Sequence, residues 1–166
     1  MPSPTHQPES EALRHSFAER GGPWVVAQNV LTFAVLVLGP VFRRQWATGV
    51  SVWAGLVLFG IGAWLGIAGV LALGRNRTPY PRPVANAQIV RHGVYRWVRH
   101  PLYASLMFAG LGWSLLWRSW PALGATLALS VLLDRKARTE ERWLSARFPE
   151  YTPYARTVGR FLPGVY

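Results

Sequence analysis

The sequence predicts an all-α integral membrane protein with about four transmembrane helices, on three observations. Half of the residues are hydrophobic (51%) and only 15% are charged, a low charged fraction for a soluble protein of this size. The apolar residues are gathered into four blocks, which is the pattern of membrane spans and not of a mixed soluble core. The basic residues fall between those blocks, with a strong bias to one side. At 166 residues the chain is read as a single domain covering 1–166.

Residues 1–22 are polar, carry Pro2, Pro4 and Pro8, and lack the basic stretch and apolar core of a signal peptide. They are expected to form a flexible tail, with a short surface helix over 11–20. Trp24 to Phe42 is the first apolar block, with Gln28, Asn29 and Thr32 as its polar interruptions. At a rise of about 1.5 Å per residue it just crosses a bilayer core of about 30 Å, and Arg43 and Arg44 end it. Val50 to Leu73 is the clearest span, uncharged, with Ser51 its only hydroxylated residue. Its Gly62 and Gly66 have a G-x-x-x-G spacing that lets a neighbouring helix approach closely.

Arg75 to His100 is a polar connection in which Pro79, Pro81 and Pro83 forbid a continuous helix. A loop of this length is uncommon unless it is disordered or functional. Leu102 to Trp117 is a third apolar block, adequate for a span if its helix starts at Pro101, where a missing N–H costs nothing. Arg118 to Pro121 makes a tight turn. Ala122 to Leu133 is too short to span alone, so its helix is expected to continue past Asp134 as a charged stretch to about Phe148. Tyr151 to Tyr166 is expected to be an extended tail.

The formal net charge is +11, with a single lysine, Lys136, among eighteen basic residues. With four spans and both termini on one face, fifteen of those eighteen lie on that face. Arg43, Arg44 and Arg118 lie on the other. The positive-inside rule then places the termini and the long loop in the cytoplasm, in a bacterial inner membrane. Nucleic acid is disfavoured as a partner, because the arginines flank apolar spans and match no groove-reading or base-stacking motif. The chain has no cysteine, so disulfides, thiolate metal sites and cysteine nucleophiles are excluded, and no metal is expected.

Two stretches on the predicted cytoplasmic face carry chemistry. One runs from Arg91 to Tyr103 and mixes arginines, histidines and aromatics directly before Pro101. The other holds Asp134, Glu140, Glu141 and Glu150, the only acidic residues outside the N-terminal tail. A purely structural account exists for each. The loop can meet anionic head groups, at about 1 kcal/mol per basic residue near the surface. In the acidic stretch, Lys136 and Glu140 at four apart and Arg138 and Glu141 at three apart can form surface ion pairs, typically contributing less than about 1 kcal/mol. On the residues alone, function and interfacial anchoring stand level.

The run Gly93-Val94-Tyr95-Arg96-Trp97-Val98-Arg99-His100-Pro101-Leu102-Tyr103 resembles the G-x-Y-x-x-x-R-H-P-x-Y motif of the isoprenylcysteine carboxyl methyltransferase family and its relatives, the membrane phospholipid methyltransferases. Downstream, Arg138-Thr139-Glu140-Glu141, then Phe148, Tyr151, Tyr154 and Leu162-Pro163, are similar to that family's C-terminal block. The resemblance covers about half the chain, from Gln88 to the end. It departs from the family pattern at Ala87, Ser105 and Phe148-Pro149, positions that bear on donor-loop and acceptor details.

The resemblance implies methyl transfer from S-adenosylmethionine, with S-adenosylhomocysteine as product, to a small lipophilic or lipid-like acceptor at the membrane–cytosol interface. It implies a cytosolic cofactor pocket formed by the loop before the third helix and the C-terminal segment. Gln88, Ile89 and Val90 would give backbone and apolar contacts to the donor. His100, Pro101 and Tyr103 would frame it, Tyr95 would support it, and Glu140 and Glu141 would meet its ammonium or ribose. Arg99 and Glu141 would be the catalytic pair, and Arg99, Tyr154 and Arg160 would orient the acceptor. Such residue types suit a ligand with a carboxylate, an ammonium and a sulfonium: arginine forks bind carboxylates and aromatic faces attract cations. Membrane sterol reductases, which use NADPH, have a similar C-terminal half and remain an alternative, as does a non-catalytic lipid-binding membrane protein.

Overall fold

The structure is a computed structural model and describes residues 21–44, 49–74 and 89–165. Five α-helices and one 3₁₀ turn account for most of these: α1 (Gly22–Val41), α2 (Val50–Leu73), the 3₁₀ turn (Gly93–Arg96), α3 (Pro101–Trp117), α4 (Trp120–Arg147) and α5 (Tyr151–Thr157). Among the described residues there is no strand, only the isolated bridges Val98↔Gly159 and Leu162↔Val165. The expectations for the N-terminal tail, for Gln88 and for the proline-rich part of the loop lie outside the described residues.

The helices pair as α2 on α3 and α1 on α4, with α3 and α4 also in contact. Small residues make the α2–α3 seam possible. A Cβ on Gly112 would stand 2.5 Å from the Phe59 backbone nitrogen and 2.6 Å from the Gly55 carbonyl oxygen. Gly62, singled out in the sequence, is equally tight against the Ala109 nitrogen at 2.6 Å. Gly66 meets only the Ser105 side chain, at 3.3 Å, so the backbones cross most closely over Gly55, Gly62 and Gly112.

α1 and α2, at 20 and 24 residues, are long and apolar enough to cross a membrane. They leave large apolar side chains uncovered, among them Phe33 (68% exposed), Trp53 (70%) and Leu71 (75%). Soluble monomers rarely expose contiguous apolar surface on this scale, so the outer faces of both helices suit lipid. Helix α3 begins at Pro101, as its proline predicts. Helix α4 starts with the Ser119 side chain accepting from the Ala122 N–H and runs unbroken from its apolar half through the charged stretch. At about 1.5 Å per residue it is about 42 Å long.

The C-terminal segment differs from its expected extended form. Residues Tyr151–Thr157 are helical, because Tyr151 and Tyr154, three apart, bury their rings together on one face. Pro153 falls in the first turn, where a helix has no use for its N–H.

Candidate functional site

Two backbone hydrogen bonds join the motif loop to the C-terminal segment. The Arg99 N–H donates to the Gly159 carbonyl at 2.9 Å, and the His100 N–H donates to the Arg160 carbonyl at 3.0 Å. They set the R-H-P turn beside residues more than fifty positions later in the chain. Behind the turn, Val94, Tyr95, Val98 and Ala104 form a buried cluster with Leu65 of α2, and Val90 packs against it. Ile89 and Val90 are half-buried at the loop's entry. The hydroxyl of Tyr154 donates to the Tyr95 carbonyl at 2.6 Å, fixing α5 to the 3₁₀ turn.

Glu141 is the hub. Its Oε1 accepts from Arg160 Nε at 3.0 Å and from His100 Nε2 at 3.1 Å, and its Oε2 accepts from Arg160 Nη2 at 2.8 Å. Arg99 Nε stands 3.3 Å from the same Oε1, while its Nη1 donates to the Ala155 carbonyl. Burial alone would raise the Glu141 carboxyl pKa. The hydrogen bonds from His100 and Arg160 and the charges of His100 and Arg99 outweigh it and bring the pKa down to about 2. Glu141 is therefore a carboxylate at any physiological pH, and His100 must present an N–H to it from Nε2.

Glu140 has different surroundings. It accepts from the Tyr103 hydroxyl at 2.8 Å, and its side chain is more exposed than that of Glu141, 26% against 14%. The His100 ring stacks on Tyr103 at 5.2 Å between centroids, and Pro101, next to His100 in the chain, is fully buried. Burial, then the Glu140 charge, raises the Tyr95 pKa. Burial also carries Tyr154 to about 12, so both phenols are neutral, and that of Tyr154 donates.

The structure thus brings Tyr95, Arg99, His100, Pro101, Tyr103, Glu140, Glu141, Tyr154 and Arg160 into one region. The residues named in the surface-pair account have partners beyond those pairs. Arg138 Nε pairs with Asp134 at 2.8 Å. Lys136 turns inward, only 2% exposed, and donates to Gln28 Oε1 of α1 at 2.7 Å. Its Nζ lies 5.1 Å from the Tyr103 ring centroid, within cation–π range. Burial lowers the Lys136 pKa, opposed by the charge of Glu140.

Sequence reasoning mentioned Lys136, Asp134 and Tyr151 but gave them no role in the site. For Lys136 a signal existed. It continues the buried stripe Thr126, Leu129, Leu133 at three- and four-residue spacing, the spacing of one helix face. Lys136→Met keeps most of the volume and removes the amine, leaving the Gln28 amide without its partner. The expected cost is about 1–3 kcal/mol, read as a lower melting temperature in detergent. Lys136→Arg should recover less than half of it, because a larger planar head replaces a compact one.

Whether a sulfonium donor fits can be tested on the side chains present. Arginine forks and the Glu140 carboxylate suit its carboxylate and ammonium, and the ring of Phe161, 6.2 Å from that of His100, adds an aromatic surface. Tyr151 Oη is buried without a hydrogen-bond partner among the described residues, whereas Arg99 Nε is met by Glu141 as an ion pair at 3.3 Å. A buried hydroxyl without a partner in a polar region is a position that a ligand or water can complete. Among the described residues no group of three or more His, Asp or Glu side chains is placed to hold a metal ion.

Two helices are long and apolar enough to cross a membrane, and the two motif segments close on a shared carboxylate. A family model for phospholipid methyltransferases matches residues 50–151. The chain belongs to this family, which embraces the isoprenylcysteine and phospholipid methyltransferases and whose members normally use S-adenosylmethionine. Among curated relatives, the nickel-cobalt-cadmium resistance protein NccN of Alcaligenes xylosoxydans xylosoxydans is 32% identical over 165 residues, 98% of this chain and 70% of that protein. The cobalt-zinc-cadmium resistance protein CzcN of Cupriavidus metallidurans is 40% identical over 80 residues, 47% of this chain and 37% of that protein.

Proposed function

We propose that this chain transfers a methyl group from S-adenosylmethionine to a small lipophilic or lipid-like acceptor at the membrane–cytosol interface. The observation that carries the reading is the closure of the R-H-P-x-Y turn onto the glutamate pair through Glu141, Arg99, His100 and Arg160. Four spans, with the termini and the site facing the cytoplasm of a bacterial inner membrane, complete the proposal, as does a single methyltransferase domain over 1–166. We add metal resistance as the proposed physiological setting, on the strength of the relative that aligns over nearly the whole chain.

The bound donor would supply a sulfonium methyl carbon, which an acceptor lone pair takes in line as the S–CH₃ bond breaks and the sulfur keeps that bond's electrons. Positioning dominates such a displacement, and positioning is what the residues here provide. Glu141, engaged on both oxygens, holds Arg99, His100 and Arg160 in place. Glu140, the more exposed carboxylate, is proposed to meet the donor ammonium, beside Tyr103 and His100. Arg99 and Arg160 are proposed to orient carboxylate or acceptor, with Tyr154 bracing the Tyr95 backbone. Gln88, Ile89, Val90 and Pro101 are proposed to wall the pocket.

Calorimetric titration of the detergent-solubilised protein with S-adenosylhomocysteine and with NADPH tests the reading. Saturable binding of S-adenosylhomocysteine alone is the expected result. Binding of NADPH alone would replace methyl transfer by a reductase, and binding of neither would leave a lipid-binding protein.

A further inference from the structure

The buried amine of Lys136 has no task in the proposed methyl transfer, yet it stands where an amine is costly. It continues the α4 stripe of Thr126, Leu129 and Leu133, each at most 1% exposed, and is itself 2% exposed. Methionine or leucine would extend that stripe without taking a charge out of water. An ionisable side chain kept at such a depth marks function when it has defined partners, and Lys136 has them on three helices. Its Nζ donates to Gln28 Oε1 of α1 at 2.7 Å and lies 5.1 Å from the centroid of the Tyr103 ring of α3. The charge of Glu140, one turn further along α4, also acts on it.

The Tyr103 ring is thereby engaged twice. His100 stacks on it with 6° between the ring planes, and the Lys136 ammonium lies within cation–π reach. A ring held in this way is fixed in place, and its hydroxyl is committed to Glu140 at 2.8 Å. Tyr103 therefore sets the direction of the Glu140 carboxylate, the more open of the glutamate pair, and Lys136 sets Tyr103. Gln28 in turn fixes where the ammonium sits. It belongs to α1 (Gly22–Val41), which lies outside the segment 50–151 matched by the phospholipid methyltransferase model. We propose that Lys136 is a positioning residue through which α1 becomes part of the donor site: the relay Gln28–Lys136–Tyr103 aims the Glu140 carboxylate at the ammonium of the methyl donor. The inference rests on the methyltransferase reading and adds a helix and two residues to it.

Titration of the detergent-solubilised full chain with S-adenosylhomocysteine, which has the same amino-acid end as the donor, tests this by a double-mutant cycle. Lys136→Met should weaken binding at least about fivefold in the wild-type background, and less than about twofold in Glu140→Gln, where the carboxylate it aims is already gone. Lys136→Arg should recover part of the affinity, because it keeps a cation beside Tyr103. Gln28→Leu should weaken binding by about threefold or more through the same relay. Asn29→Leu removes an exposed amide one position further along α1 and should bind as the wild type does. Melting temperatures are read on the same samples, since a merely structural role lowers stability and weakens binding by the same factor in both backgrounds. Such an equal loss would overturn the proposal. So would wild-type affinity in Lys136→Met or Gln28→Leu, and so would a loss in Asn29→Leu as large as that in Gln28→Leu. Failure of the wild type to bind S-adenosylhomocysteine would remove the methyltransferase reading and this inference together, whereas wild-type binding that Lys136→Met leaves unchanged removes the inference alone.

Discussion

Glu141→Gln is expected to lose at least tenfold in affinity for S-adenosylhomocysteine and to lower the melting temperature in detergent by roughly 10 °C. The stability loss follows from what the carboxylate faces. Arg99, His100 and Arg160 converge on it with side chains between 6% and 13% exposed, and a neutral amide would leave those groups without their anion. Breaking a buried pair from one side costs about 3–5 kcal/mol, and about 1 kcal/mol moves the melting point of a chain this size by roughly 2–4 °C. Linkage gives a similar size. A carboxyl brought from 4.5 to about 2 on folding contributes about 3 kcal/mol.

The sign of that term sets its pH dependence. A depressed carboxyl pKa stabilises fully above the ordinary value of 4.5 and progressively less as pH falls through about 2. The wild type should therefore lose stability between about pH 4.5 and pH 2, and Glu141→Gln should show a flatter profile across the same window. His100→Ala removes one of the donors and leaves the Arg160 pair standing, so its melting point should fall less while donor binding still weakens. If both variants bind S-adenosylhomocysteine as the wild type does, the hub has no part in holding the donor. Equal acid profiles for wild type and Glu141→Gln would show that its ion pairs contribute nothing to folding.

The legible and illegible parts of this chain separate by the range of the forces involved. Val50 to Leu73 was readable to the residue because hydropathy and the flanking glycines act within the segment itself. The start of α3 at Pro101 and the passage of α4 beyond Asp134 follow from equally local rules. The acidic stretch needed more. Its charges looked like surface pairs along one helix, but Glu141 meets a histidine 41 positions earlier and an arginine 19 positions later. The amine of Lys136 reaches a glutamine 108 positions away. Nothing in the neighbouring residues states those distances. Only the family motifs, by placing both segments in one site, pointed toward them. Helix α5 was missed for a related reason. The prolines of that segment suggest an extended chain, while its helix depends on burying Tyr151 and Tyr154 against distant residues.

Gly159→Ala should disable the site without entering it. Gly159 bridges Val98 and accepts from the Arg99 N–H at 2.9 Å. A Cβ there would run into the Leu162 carbonyl and come within 3.1 Å of the Val165 carbonyl oxygen. These are backbone atoms, so rotamer changes cannot relieve the overlap, and the segment from 159 to 162 must move. Arg160 moves with it and withdraws its two hydrogen bonds from Glu141 and a third from Asp134. Each net charge-assisted bond contributes about 1.5–3 kcal/mol, and only part of that is lost if the segment resettles. The expected result is at least a tenfold weaker S-adenosylhomocysteine titration, with a smaller fall in melting temperature than Glu141→Gln produces. Gly124→Ala is the matched control, since a Cβ there meets nothing within 4 Å and alanine is the better helix former by up to about 1 kcal/mol. Wild-type binding by Gly159→Ala would mean that the loop and the C-terminal segment hold their geometry without this close approach, and that Arg160 reaches Glu141 by its own side-chain freedom.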